Sequence, residues 1–225
     1  MRPALPVLLT LTGGYVDTSG FLALDGLFPA HVTGNFVTLG AALTHGTSGV
    51  ITKLLALPVF CLTILVLRYL THKVPPGDER GLRLLLVIKL LFLIAGGASA
   101  ILFAPFTNAD GFPLVATGML LVIAMAIQNA AHRIHLGSSP PSTLMTGTMT
   151  QIMIDLGDLA HARSGDQARP ARARLSRMVV AVCAFALGCG LAALLFATVG
   201  TWCFALPPLF ALVSVCLAFS TPKAA

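Results

Sequence analysis

The apolar residues of this chain are gathered into runs that are each long enough to cross a lipid bilayer. A helix needs about 20 mainly apolar residues to span the hydrocarbon core. Six segments meet that requirement, at about 4–24, 50–71, 82–104, 113–132, 175–198 and 202–220. Only 10% of the residues are charged, against roughly a quarter in a soluble domain. The sequence therefore predicts an all-α integral membrane protein that forms a single domain over residues 1–225.

Several classes of function are excluded by what lies between these runs. The stretches without apolar runs, at about 72–82 and 162–174, are too short to fold as a soluble catalytic or nucleic-acid-binding domain. The sequence has no P-loop, no G-x-S-x-G turn and no H-E-x-x-H helix, so we predict that the protein is not an enzyme. We predict no metal or cofactor, because His132, His135 and His161 lack a carboxylate or thiolate at a suitable spacing.

Two further segments, at about 30–46 and 142–161, begin with small and polar residues. They either cross the membrane, which gives eight spans, or enter it and return as half-helices. If they do not cross, every lysine and arginine except Lys53 and Lys89 lies on the side of the N-terminus. Because positively charged loops favour the cytoplasm, we predict six spans in the bacterial cytoplasmic (inner) membrane with both termini in the cytoplasm. Lys89 is expected to extend its side chain to the cytoplasmic headgroups.

A short motif occurs twice in the chain. The sequence TGN at 33–35 begins the first of these segments, and TGT at 146–148 begins the second. Each follows an apolar helix that ends in polar residues, and each precedes two further spans. Because each half holds an odd number of spans, the second half enters the membrane from the opposite side. We predict six transmembrane helices as a 3+3 inverted repeat (about 1–105 and 112–221), with two short Thr-Gly half-helices that line the centre.

The polar residues of the two repeats form a candidate solute site. Helix N-termini at membrane depth present unpaired N–H groups and a positive potential. Such backbone is tolerated only beside protein or a water-filled cavity. The candidate binding residues are Tyr15, Asp17, Thr33, Gly34, Asn35, Gln128, Asn129, Thr146, Gly147 and Asp155.

These candidates also have structural interpretations. Asp17 is either a coupling carboxylate in a cavity or an interfacial residue where the first helix ends early. Gln128 and Asn129 either bind solute or form hydrogen bonds between helices. The Thr-Gly pairs either cap half-helices or let helices pack closely.

The residues that carry the repeat resemble those of a known family. The segment GGYVD at 13–17 with HVTGN at 31–35, and QNA at 128–130 with TLMTGT at 143–148, are similar to the bacterial YoaK-like family. The similarity extends over nearly the whole chain. The resemblance implies a small multi-span membrane protein to which no activity is assigned.

Two functions are compatible with these features. The first is a carrier or channel for a small polar or anionic solute, in which one half rocks against the other. The second is a non-transporting membrane component that binds lipid or a partner protein. The expected partners are membrane lipid, an unknown small solute and a second copy of the chain, and no nucleic acid.

Overall fold

The computed structural model describes residues 4–45, 49–161 and 168–220, and over those residues the fold is all-helical. The helices are α1 (Ala4–Ala23), α2 (Gly34–His45), α3 (Val50–Leu70), α4 (Glu79–Phe103), α5 (Phe112–His135), α6 (Met145–His161), α7 (Ala168–Val199) and α8 (Leu206–Phe219). A short 3₁₀ helix, Gly200–Ala205, joins α7 to α8. Each predicted segment therefore overlaps one of these α-helices.

Four stretches of the described chain are long and apolar enough to cross a membrane. They are Val50–Leu70, Glu79–Phe103, Phe112–His135 and Ala171–Phe219. The stretch Ala171–Phe219 covers two of the predicted spans, 175–198 and 202–220. The predicted span at 4–24 is not among the four stretches. The protein is a multi-pass membrane protein.

Helix α1 differs from the lipid-facing helices because protein surrounds it. Its buried residues include Thr10, Thr12, Asp17 and Ser19, and it packs against α5, α7 and α8. Polar side chains lower its hydropathy but are buried within the bundle. Length and apolar composition alone therefore do not identify α1 as a span.

The end of the bundle at which α1 begins is called the near side. Pro6 of α1, Pro140 after α5 and Ser176 of α7 line one cavity there. Gly81, in the first turn of α4, contacts the ring of His135 at the end of α5. The near side therefore holds the first turns of α1 and α4 and the last turn of α5. It also holds the beginning of α7.

The opposite end, where α1 ends, is called the far side. The ammonium of Lys53, in the first turn of α3, lies 3.8 Å from the carboxylate of Asp25, just after α1. The N–H of Ile51 donates to Asp110, just before α5, at 2.9 Å. Gly49 also adjoins Asp25. The chain from 26 to 49, which contains α2, therefore starts and finishes on the far side.

Helices α1 and α5 form the centre of the bundle, with α3 packed on α5, α7 on α1, and α4 on both α5 and α8. The Thr-Gly helices were expected to line the centre, but α2 packs on α3 and α6 packs on α7. Most of the remaining surface of each is exposed, as at Val37 (75%) and Met153 (56%). A helix this short contacts the bundle through one face, so the centre is instead filled by α1 and α5.

Helices α1 and α7 approach each other most closely at two glycines. A Cβ atom on Gly14 would lie 2.2 Å from the carbonyl oxygen of Phe185, and one on Gly188 would lie 2.2 Å from that of Leu11. Neither distance leaves room for a side chain, because both neighbours are backbone atoms. Glycine is therefore required for this crossing.

Candidate functional site

The carboxylate of Asp17 holds the loop that connects α1 to α2. Its Oδ1 accepts hydrogen bonds from the backbone N–H groups of Ala30 (2.6 Å) and His31 (3.2 Å). Its Oδ2 pairs with Nδ1 of the His31 ring. This hydrogen bond raises the pKa of His31 above its ordinary value. Asp17 lies well inside α1, so the loop turns back into the bundle to reach it.

Asn35 closes the same loop from the first turn of α2. Its Oδ1 accepts from the N–H of Phe28 at 2.8 Å, and its Nδ2 donates to the carbonyl oxygen of Phe28 at 2.9 Å. The side chain is buried and both ends of its amide are paired with backbone. Asn35 therefore fixes the entry into α2.

Gln128 and Asn129 hold the loop that connects α5 to α6. Nε2 of Gln128 donates to the carbonyl oxygen of Leu9 (2.8 Å) and to the hydroxyl of Ser142 (3.2 Å). The hydroxyl of Thr143 donates to Oδ1 of Asn129 at 2.7 Å. Near the end of each central helix, polar side chains therefore hold the loop that precedes a Thr-Gly helix.

The two loops reach neighbouring positions on α1. The first is bound at Asp17, and the carbonyl oxygen of Ser142 in the second lies 2.9 Å from where a Cβ of Gly13 would be. Four residues of helix correspond to about 6 Å along the axis. The tips of a far-side loop and a near-side loop thus contact α1 about one turn apart, close to its middle.

The Thr-Gly residues are not part of this buried contact. Thr33, Thr146 and Gly147 are exposed, and Gly34 lies beside the ring of Phe28. Space is open around Gly147, where an added Cβ would meet no atom within 4 Å. The structure therefore brings Asp17, Asn35, Gln128 and Asn129 to the loops and leaves the Thr-Gly pairs at the surface.

Tyr15 and Asp155 each fix one element against another. The hydroxyl of Tyr15 donates to the carbonyl oxygen of Cys203 at 2.8 Å. Asp155 is fully buried and accepts from Nε of Arg174 (2.8 Å), from its terminal nitrogen (2.5 Å), and from Gln151 (2.8 Å). These hydrogen bonds lower the pKa of Asp155 and attach α6 to α7. Asp155 therefore contacts α7 instead of a solute cavity.

The chain is similar to known proteins over most of its length. Residues 5–217 match the family described as "Protein of unknown function (DUF1275)". The chain belongs to the DUF1275 family. It is 32% identical over 162 residues to the UPF0700 transmembrane protein YoaK of Bacillus subtilis (strain 168), covering 69% of this chain and 67% of that protein. No solved structure has a significant similarity to it. The resemblance to YoaK-like proteins is therefore confirmed.

Lys89 is the residue of this DUF1275 protein whose position differs most from expectation. It was expected to reach the headgroups, but its side chain is fully buried. Helix α4 begins at Glu79, capped by Asp78, so Lys89 lies about 15 Å along the helix. It also lies on the buried face of α4, with Leu86 and Leu93. The prediction was wrong because the helix starts earlier, and faces the core differently, than the apolar run suggested.

Four buried side-chain atoms of this DUF1275 protein have no hydrogen-bond partner among the described residues, and two of them are Nδ1 of His132 and Nδ1 of His135 in the last turn of α5. Within the described part of the chain, Nζ of Lys89 donates no hydrogen bond and Oε1 of Gln128 accepts none. Among the described residues no group of three or more His, Cys, Asp and Glu side chains could hold a metal ion. The side chain of His161 lies outside the described residues.

Proposed function

We propose that this protein is a carrier for a small polar or anionic solute in the bacterial cytoplasmic membrane. It is not an enzyme in this proposal. Its six spans form a 3+3 inverted repeat, in which α1 to α4 correspond to α5 to α8. The two held loops, one from each side of the membrane, are the gates. Lipid surrounds the bundle, and a second copy of the chain is a candidate partner.

The pairing of helices supports the repeat. The contacts of α1 with α7 and of α1 with α8 have counterparts in the contacts of α5 with α3 and of α5 with α4. The contact of α2 with α3 corresponds to that of α6 with α7. Exchanging the two halves therefore leaves the set of contacts among α1 to α8 unchanged, which an internal repeat explains.

The directions of the helices support an inversion between the halves. Tyr15, late in α1, belongs to the same buried cluster as Leu114, early in α5. Leu5, early in α1, belongs to a second cluster with Ala131, late in α5. The equivalent helices α1 and α5 are therefore antiparallel, as an inverted repeat requires.

The observation that carries the proposal is that equivalent residues make equivalent contacts with the loops. Asp17 and His31 are 14 residues apart, and so are Asn129 and Thr143. Two like gates on opposite sides, meeting near mid-depth, are what alternating access needs. Breaking the Asp17 contacts would open the far side, and breaking the Asn129 contact would open the near side.

The distribution of charge supports the orientation. Lys53 is the one described lysine or arginine with a resolved side chain on the far side, and Lys89 lies in the core. The others lie at the near side: Arg68, Lys73, Arg80, Arg83, Arg133, Arg172, Arg174 and Arg177. The positive-inside rule then makes the near side cytoplasmic, together with both termini.

The alternative, a component that binds lipid, is favoured by one feature. A cavity of about 180 Å³ opens on the near side between α1, α7 and the loop after α5. Its lining includes Val7, Val180 and Arg177. An apolar wall with an arginine beside it suits an acyl chain and a phosphate group.

An assay of solute flux into liposomes distinguishes the carrier from the lipid-binding component. The purified protein is reconstituted, and osmotic swelling is followed by light scattering for small neutral, anionic and zwitterionic solutes. A carrier gives solute-dependent swelling that Asn129→Leu reduces and that the exposed-site change Asp158→Asn leaves intact. Equal swelling of protein-containing and empty liposomes for every solute would contradict the carrier function and favour the lipid-binding component.

A further inference from the structure

The register of α4 against α5 places Lys89 and Gln128 at the same level of the contact between these helices. A Cβ on Gly96 of α4 would lie 2.8 Å from the side chain of Leu121 of α5. Lys89 is seven residues before Gly96, and Gln128 is seven residues after Leu121. Seven residues are about two turns, which keep the same face and cover about 10 Å. Because α4 and α5 are antiparallel, both steps lead towards the near side and place the two side chains at one level.

Each of these side chains lacks one partner. Both are 0% exposed, and neither Nζ of Lys89 nor Oε1 of Gln128 has a hydrogen bond within the described residues. The orientation of the Gln128 amide is fixed, because its Nε2 donates to the carbonyl oxygen of Leu9, which can only accept. The site therefore presents one unpaired lysine nitrogen and one unpaired amide oxygen.

A structural role does not account for this arrangement. An ammonium buried without a counter-charge is costly, and an apolar side chain of similar volume fills the same space without that cost. The neighbours of Lys89 along the buried face of α4 are Leu85, Leu86 and Leu93. An occupant that supplies the missing partners would offset the cost.

The missing partners define the chemistry of that occupant. The ammonium of Lys89 requires a negative charge, and Oε1 of Gln128 requires a hydrogen-bond donor. A carboxylate that also carries a hydroxyl group supplies both. A single negative charge is favoured over two, since a second charge would be buried without a cation.

We propose that Lys89 and Gln128 bind a small monovalent hydroxycarboxylate at the contact of α4 and α5. The carboxylate pairs with Lys89, and the hydroxyl donates to Gln128. This assignment rests on the carrier function, because it names the class of solute that the carrier takes. The binding site itself is tested without transport.

Binding is measured by thermal unfolding of the purified protein in detergent, at constant ionic strength. The probes are sodium glycolate and sodium acetate, which differ by the one hydroxyl group. A ligand that binds only the folded state raises the unfolding temperature by an amount that grows with the logarithm of its concentration divided by its Kd. We expect glycolate to bind at least about tenfold more tightly than acetate, because acetate leaves the Gln128 oxygen unpaired.

The variants distinguish binding at Lys89 and Gln128 from general electrostatic attraction of an anion. Lys89→Met is expected to weaken glycolate binding at least about a hundredfold, whereas Lys73→Gln, which removes an exposed lysine, leaves it unchanged. Gln128→Met should remove the preference for glycolate over acetate. The comparison of glycolate with acetate on the wild-type protein tests the proposal even where a variant does not fold.

Three results would overturn the proposal. They are no glycolate binding by the wild type, equal binding of glycolate and acetate, and glycolate binding that survives Lys89→Met. Flux assays distinguish this failure from failure of the proposed function. Glycolate binding without flux of any solute would support the binding site and contradict the carrier function. Flux of other solutes without glycolate binding would support the carrier function and contradict the binding site.

Discussion

His31 contacts the carboxylate of Asp17 through two hydrogen bonds. Its backbone N–H donates to Oδ1, and its ring Nδ1 is hydrogen-bonded to Oδ2. The two residues are 14 apart in the chain, and Asp17 lies inside a central helix. One buried side chain thereby holds the loop against α1. In the proposed carrier, the far-side gate depends on this contact.

The first prediction concerns Asp17→Asn. An amide keeps the shape of the side chain but loses the charge that supports its hydrogen bonds to Ala30 and His31. We expect the free energy of unfolding to fall by about 1–3 kcal/mol. Thermal unfolding in detergent measures this, with the exposed change Asp158→Asn as the control. Equal unfolding temperatures for Asp17→Asn and wild type would show that the carboxylate does not hold the loop.

The second prediction concerns pH. Because the hydrogen bond with Asp17 raises the pKa of His31, protonated His31 stabilises the folded state. That stability is fully present below the unfolded value of about 6.5 and is lost as pH rises through the higher folded value. The difference in unfolding temperature between wild type and His31→Gln should therefore shrink as pH rises from about 6 to 9. A difference that is constant over this range would contradict the assignment.

The third prediction concerns the attachment of α6 to α7. The hydrogen bonds of Asp155 with Arg174 and Gln151 lower its pKa, so its contribution is present above about 3.8 and is lost as pH falls through the folded value. Asp155→Asn should weaken the contact at neutral pH and speed hydrogen exchange in α6. Exchange in α1 serves as the internal control. Unchanged exchange in α6 would mean that other contacts hold it.

The fourth prediction concerns the glycine crossing. Gly188→Ala should destabilise the protein by about 1–3 kcal/mol or more, because its methyl group would overlap the backbone of Leu11. Gly190, in the same helix, has no atom within 4 Å of an added Cβ. Gly190→Ala should be neutral or slightly stabilising, since alanine favours helix. Thermal unfolding compares the two variants, and equal effects would place the crossing elsewhere.

The fifth prediction concerns the stability cost of the proposed solute site. Lys89→Met removes an unpaired buried ammonium and fills a similar volume, so we expect unfolding to require about 1–3 kcal/mol more than in wild type. Chemical unfolding in detergent measures the difference in the absence of added carboxylate. A loss of stability would indicate that Lys89 already has a stabilising partner in the empty protein.

The helices were predictable from the sequence because apolar runs and the Thr-Gly starts depend on neighbouring residues. The roles of Asp17 and Asn35 were not, since their partners at residues 28–31 are set by how a loop folds back. Lys89 was misplaced for a related reason. Its depth depends on the start of α4 at Glu79, and its burial depends on which face α5 covers.

Cysteine labelling in intact membranes determines whether the two halves are inverted three-span units of a six-span protein. Single cysteines replace Lys73, Thr107 and Ser220 in a cysteine-free background, and a membrane-impermeant maleimide is applied from outside. We predict labelling at Thr107, on the far side, and protection at Lys73 and Ser220, on the near side. Labelling at Lys73 with protection at Thr107 and Ser220 would mean that both Thr-Gly helices cross the membrane, and would contradict the inverted six-span arrangement.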